Sequence, residues 1–443
     1  MRLARVFVLT AVLLFGPCID PCPAGAQLMG HGGPVRALAV SEDGATAFSG
    51  SFDASAIRWS LDRGIAEQVM RLHDNAVNAV AILRDRRAVT GGADARIAIW
   101  TPGSTGQDTI PEGHTGPIAA LAVSPDGTTL ASASWDRTVR LWPLAGGAPA
   151  VFDGQQQNVN AVAFAPDGKS LVSAGYDATV RRWPLSGDSA PAIMNLAAPL
   201  NAVIVAPDGE IAAGGSDGHV HFLSPDGHAR SALAISAAPI TSLAMARDGD
   251  RIAAASANGL LAIIDRRSRS ILRIARGSGA PIWAVAFLPD TRTLLSGGGD
   301  RAIHRWDAQT LEPQDTAAGR TAEDPLAAYA GDSGATVFRA CAACHALQPD
   351  DSSRAGPNLH GLFGRRIATL SGYNFSPALR QLDFVWTRET VAKLFEIGPA
   401  AYTPARKCRS SASAGRRTAR PSSISSNARR SDQGLGFSPR SRR

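Results

Sequence analysis

Between residues 28 and 310 one phrase recurs seven times: a strand of small residues, a turn carrying Asp or Asn, and a second strand that in most copies closes on Trp. It reads S-G-S-F-D-A-S-A-I-R-W at 49 to 59, S-A-S-W-D-R-T-V-R-L-W at 132 to 142 and S-G-G-G-D-R-A-I-H-R-W at 296 to 306. The turn residues Asp53, Asp94, Asp136, Asp177, Asp217, Asn258 and Asp300 fall 40 to 42 residues apart. A period of that length, with alternating strands and Asp/Gly turns, indicates one four-stranded blade per repeat. A blade cannot bury both its faces alone, so the copies must stack around a channel. Seven turns predict an all-β seven-bladed propeller over residues 27–316. Its last outer strand comes either from residues 311–316 or from the stretch around residues 27–29.

Two copies open with a Gly-His pair, Gly30-His31 and Gly113-His114, and S-P-D-G at 124 to 127 and A-P-D-G at 165 to 168 occupy a hairpin turn. On these residues the chain resembles the WD-repeat family. The resemblance implies that His114, Ser132, Asp136 and Trp142 share hydrogen bonds as one structural network, with His31, Asp53 and Trp59 as its counterpart in blade 1. Phe222 and Ile264 stand where Trp recurs elsewhere, which predicts that blades 5 and 6 hold together by packing alone. The histidines and aspartates recur at the repeat period, and the repeats offer no nucleophile with its base, no paired acids and no phosphate loop. They read as architecture, and the propeller as a binding module.

After an Ala/Gly/Asp-rich linker at 317–330 comes F-R-A-C-A-A-C-H. Cys341-x-x-Cys344-His345 is the attachment signature of c-type haem: two thiols on one helical turn add to the two vinyl groups, and the adjacent His reaches the iron as axial ligand. A zinc or dithiol-redox site needs a second ligand pair or a thioredoxin-like context, and the sequence has neither. The phrases R-A-G-P-N-L-H-G-L-F-G-R-R (354 to 366), S-G-Y-N-F (371 to 375), F-V-W (384 to 386) and the helical stretch 389–396 make residues 331–404 resemble class I cytochrome c of the mitochondrial type, a small all-α domain. The resemblance implies that the Pro357 carbonyl accepts the ring N–H of His345. It further implies that Arg365 and Trp386 hold the inner haem propionate with Tyr373 nearby, and that Leu359, Leu362 and Phe363 form the apolar wall of the site. His360 reads as a surface residue.

That family continues with a Gly-Thr-Lys-Met-Pro loop, whose Met is the sixth iron ligand and raises the reduction potential. Here Thr403-Pro404 is followed by Ala405-Arg406-Lys407-Cys408-Arg409, and Cys408 occupies the Met position. Codons shifted by one base across Pro404 to Arg409 permit Gly-Thr-Lys-Met-Pro. The same frame allows an amphipathic helix over residues 421–427 and a stop near residue 431. One missing nucleotide before Ala405 accounts for all three. In the chain as given, the cytochrome c domain thus lacks its Met loop and last helix, and residues 405–443 read as a disordered basic tail.

The tail also explains the charge. The chain has a formal net charge of +7, and residues 405–443 carry 11 Lys/Arg against one acid, so residues 1–404 stand at −3. A mildly acidic body argues against a nucleic-acid partner. Residues 1–26 combine Arg2 and Arg5, an apolar run from Val6 to Phe15, and Ala24-Gly25-Ala26. This is the layout of a secretory signal peptide, and no membrane span is expected after it. The sequence therefore reads as an exported, periplasmic bacterial electron carrier with covalent haem c, a propeller that docks it to redox protein partners, and no enzymatic activity of its own. Two alternatives are a propeller oxidoreductase that passes electrons to the haem, and a pure interaction scaffold with a decayed haem domain.

Overall fold

The computed structural model describes residues 27–101, 107–109, 113–186, 189–314, 326, 332–342, 345–349, 354, 356–371, 373, 375 and 377–397. Its strands form seven four-stranded antiparallel sheets. Blade 1 consists of Val35–Val40, Thr46–Ser51, Ala56–Ser60 and Ile65–Met70, and blades 2 to 6 repeat the same order along the chain. Blade 7 takes Ile282–Phe287, Thr293–Gly298 and Ala302–Asp307 from its own repeat and Gln27–Met29 from the start of the propeller. The innermost strands pack side by side around the ring, and that of blade 1 meets that of blade 7.

The small-residue strands are explained at the blade interfaces. The second strand of each blade presents Gly50, Gly91, Ala133, Ala174, Gly214, Ala255 or Gly297 to the first inner-strand residue of the next blade: Val77, Ile118, Val159, Leu200, Ile240, Ile282 and, across the ring closure, Val35. A Cβ at Gly50 would lie 2.7 Å from Val77 Cγ1, and one at Gly297 2.5 Å from Val35 Cγ1. The partners are buried, so a larger residue at these glycines would push two blades apart.

Both candidates for the last outer strand are used. Gln27, Leu28 and Met29 pair with His304, Ile303 and Ala302. The chain then returns past Asp307, so that Pro313 bridges Trp306 and Gln314 N–H donates to the Arg305 carbonyl. The two short segments together cover one edge, which an unpaired strand would leave open to other chains.

The C-terminal segment carries helices α1 (Ser333–Ala342), α2 (Pro377–Arg380) and α3 (Arg388–Ile397). Asp332 caps α1 through the Gly334 N–H at 2.7 Å. Thr387 and Thr390 cap α3 reciprocally, each hydroxyl accepting the other's backbone N–H. Residues 364–367 run antiparallel to 384–386: Gly364 N–H donates to the Trp386 carbonyl, Trp386 N–H to Arg365, and Ile367 N–H to Phe384, each at 2.9 Å. Among the described residues, no helix is long and apolar enough to cross a membrane. The stretches read as a signal peptide (1–26), a linker (317–330, Leu326 apart) and a basic tail (405–443) lie outside the described residues.

Candidate functional site

The turn after each second strand positions the polar network of its blade. In all seven blades the residue after the turn Asp or Asn is left-handed, with φ between +61° and +78° at Ala54, Ala95, Arg137, Ala178, Gly218, Gly259 and Arg301. In six of them the turn Asp Oδ1 accepts the N–H two residues on, as Ser55, Arg96, Thr138, Thr179, His219 and Ala302 donate. That bond helps L-residues tolerate the conformation.

In blade 3, His114 Nδ1–H donates to Asp136 at 2.7 Å and Nε2 accepts from the Ser132 hydroxyl at 2.7 Å; the Trp142 indole N–H donates to the same hydroxyl at 2.8 Å. Blade 1 repeats this with His31, Asp53, Ser49 and Trp59 at 3.1, 2.7 and 2.8 Å. Burial pushes the Asp53 carboxyl up, but His31 and the hydrogen bonds from Ser55 and the Gly32 N–H outweigh it and hold the group at about 2. Asp94 and Asp136 are likewise held well below the ordinary carboxylate range, burial being outweighed by their histidines and further hydrogen bonds.

Sequence reasoning missed four members of this series. His73 completes the network in blade 2 with Asp94, Thr90 and Trp100. Leu72 precedes it instead of Gly, Thr replaces Ser, and it stands 21 residues before its turn Asp where His31 and His114 stand 22; a search one residue wide of that spacing would have found it. In blade 4 Gln155 takes the place of His, its amide nitrogen 2.8 Å from Asp177 and its oxygen 2.9 Å from Ser173. In blades 5 and 7 the histidine comes from the third strand, His221 at 3.0 Å from Asp217 and His304 at 2.7 Å from Asp300. Blade 5 therefore does not hold by packing alone. Nor does blade 6, where the neutral Asn258 Oδ1 accepts from Ser236 and Ser256 at 3.2 and 2.6 Å. With no histidine supplied, an amide replaces the carboxylate and avoids burying an unpaired charge.

A second polar cluster lies between blades 5 and 6, in a cleft of about 470 Å³. Buried Glu210 accepts from Arg230, Arg266 and Arg269 at 3.0, 3.0 and 2.7 Å, and Asp208 also holds Arg266. The arginines of this cluster outnumber its acids, and their bonds tie the two blades together.

In the C-terminal segment, Cys341 sits in the last turn of α1, and His345 N–H donates to its carbonyl at 2.9 Å, so the two residues follow one another by a helical turn. His345 Nδ1–H donates to the Pro357 carbonyl at 2.8 Å. Burial lowers the imidazole below its ordinary range, with the Pro357 bond working against it; the ring is neutral at pH 7, and the proton on Nδ1 leaves the lone pair on Nε2. Burial pushes the Cys341 thiol up. A neutral histidine with its tautomer fixed by a carbonyl suits axial ligation of haem iron, and a half-buried thiol one turn away suits attachment to a haem vinyl group. The backbone pairing brings Arg365 beside Trp386, and the Arg365 guanidinium donates to the Asn358 carbonyl at 2.9 Å. The Tyr373 and Phe375 rings meet at a tilt, their centroids 4.6 Å apart. Leu359 and Leu362 are half-buried and His360 is exposed. Phe363 is 60 % exposed, in a bend whose flanking Gly361 and Gly364 both have positive φ. Cys344 and Cys408 lie outside the described residues.

The comparisons divide along the same line. The WD40 model (WD domain, G-beta repeat) matches residues 24–60, 107–143, 148–184 and 269–307. Each match starts at the outer strand of one blade and ends at the third strand of the next, and the propeller is built of these repeats. The cytochromes c of Cochliobolus lunatus and Arabidopsis thaliana are each 37% identical over 75 residues, 17% of this chain, and cover 68% and 66% of those proteins. Cytochrome c2 of Blastochloris viridis is 37% identical over 83 residues, 19% of this chain and 65% of that protein. The chain belongs to the cytochrome c family. It spans about two thirds of the length of these curated relatives. Similarity to cytochrome c over so short a stretch, next to a WD-repeat propeller, makes this a haem-linked fusion.

Proposed function

We propose that the chain is an exported, periplasmic c-type cytochrome: a one-electron carrier whose haem is attached through Cys341 and Cys344 and ligated by His345, with the propeller as its docking scaffold. The reading rests on the hydrogen bond from His345 Nδ1 to the Pro357 carbonyl at 2.8 Å. It keeps the proton on Nδ1, aims Nε2 and strengthens it as a ligand. Haem, when bound, supplies an iron centre that changes by one electron.

The other residues bind and shield. Cys341 and Cys344 tether the group, Arg365, Trp386 and Tyr373 receive its propionate edge, and Leu359 and Leu362 keep water away. The sixth ligand is the Met of the shifted frame, and the two-thirds coverage of the relatives supports a domain that loses its last part there. Phe52, Trp135 and Tyr176 support a docking role for the propeller. They precede the turn Asp in blades 1, 3 and 4, hence on one face, and each is about half exposed.

The test is the absorption spectrum of frame-corrected protein after secretion. A low-spin haem that stays attached on denaturation is expected, and His345→Ala should lose the low-spin bands. Absence of covalent haem sinks the reading, and an additional chromophore would favour the oxidoreductase instead. An unbroken DNA read across codons 400 to 410 would overturn the frameshift.

A further inference from the structure

Two equivalent positions of the propeller reach out of their repeats. Met29 and Arg71 each stand two residues before the network histidine of the following blade, His31 and His73. The Arg71 guanidinium lies over the Tyr373 ring, 4.5 Å from its centroid, and donates to the Arg354 carbonyl. Arg354 Nη1 in turn donates to the Met29 carbonyl at 2.8 Å. Burial lowers Arg71 from its ordinary range, while Tyr373 and Asp53, the turn acid of blade 1, favour its charged form. Both contacts fall on one stretch of the C-terminal segment, residues 354–373, which contains Pro357, the partner of His345.

We propose that this corner of the propeller, Arg71 with the Met29 carbonyl, is a docking site for the chain's own loop 354–373, and that Arg71 is a positioning residue holding Pro357 against His345. The docking stands without haem; only the consequence for the ligand rests on the haem reading. A planar guanidinium suits the task, since it stacks on a ring and donates in its plane at once.

The experiment is hydrogen–deuterium exchange on the full chain as it exists, read on peptides from 354–373. Arg71→Ala should speed their exchange by at least about tenfold, the factor of a lost cation–π contact and hydrogen bond, while propeller peptides keep their rates. Arg71→Lys should restore little, and Arg273→Ala, on the exposed outer strand of blade 6, should change nothing in the loop. Where Arg71→Ala also loosens the propeller, Tyr373→Ala decides from the other side of the contact, and it must speed the same peptides. Unchanged loop exchange in Tyr373→Ala, or in Arg71→Ala with an intact propeller, overturns the proposal. In frame-corrected protein, loss of covalent haem with this exchange contrast intact would sink the haem reading and leave the docking standing.

Discussion

The Asp136 carboxylate and the His114 ring lie 2.7 Å apart, and the other ring nitrogen holds the hydroxyl to which Trp142 donates. Each group satisfies the next, so removing one strands the others in a site closed to water. Asp136→Asn should destabilise the propeller by about 2–4 kcal/mol, measured by urea unfolding at pH 7.

The same network sets an acid limit. Asp53 is held at about 2 in the folded chain and returns to about 4 when unfolded. A depressed carboxyl contributes stability that is complete above about pH 4 and is lost as pH falls toward the folded value. The stability gap between the wild type and Asp53→Asn should be constant from pH 5 to 8 and shrink on acidification from about pH 4. A gap that widens there would contradict the assignment.

Blade 6 makes the converse prediction. Asn258 accepts two serine hydroxyls, with no histidine beside it. Asn258→Asp restores the residue of the other six turns, yet it should destabilise by about 1–3 kcal/mol by burying a charge without a cation. Thermal unfolding of the single variant reads this.

The left-handed turn position distinguishes strain from collision. A Cβ at Gly218 would lie 1.8 Å from the Ser236 carbonyl oxygen, whereas one at Gly146 meets nothing within 4 Å, although both glycines have positive φ. Gly146→Ala should cost about 1 kcal/mol for its backbone alone. Gly218→Ala should cost about 3 kcal/mol or more, because the neighbouring loop must move. Equal costs in denaturant titrations would refute the collision.

The buried Glu210, held by three arginines, should respond to loss of its charge as a partner removed from a buried pair. Glu210→Gln is expected to cost about 3–5 kcal/mol, with little dependence on salt. A salt-sensitive effect would place the cluster on the surface instead.

What the sequence made legible was whatever repeats. The seven turns could be counted because each needs a short acceptor before a left-handed residue, and Asp or Asn supplies it at a fixed spacing. His31 and His114 were visible behind their glycines, but His73, Gln155 and His221 were not, because a carboxylate can be met from either of two strands by several donors. Ring closure was undecidable for a related reason: two segments of three or four residues cover complementary halves of one edge, and neither is long enough to announce itself. In the C-terminal segment Cys341, Cys344 and His345 fall within five residues and so were read directly. The hold of Arg71 on Tyr373 depends on a contact far away in sequence, which no local pattern encodes.

The strand Gln27–Met29 has a consequence in time. It is among the first segments of the propeller to be synthesised, yet its partners Ala302, Ile303 and His304 are among the last. Until then Leu28 has nothing to pair with and the edge of blade 7 is unformed, so the circle cannot close stepwise from one end. Locking it demands the longest loop closure in the propeller. The seam is therefore the step at which an emerging chain is most open to pairing with a neighbour, and a shortened chain that stops before blade 7 should be found in aggregates rather than as a six-bladed ring.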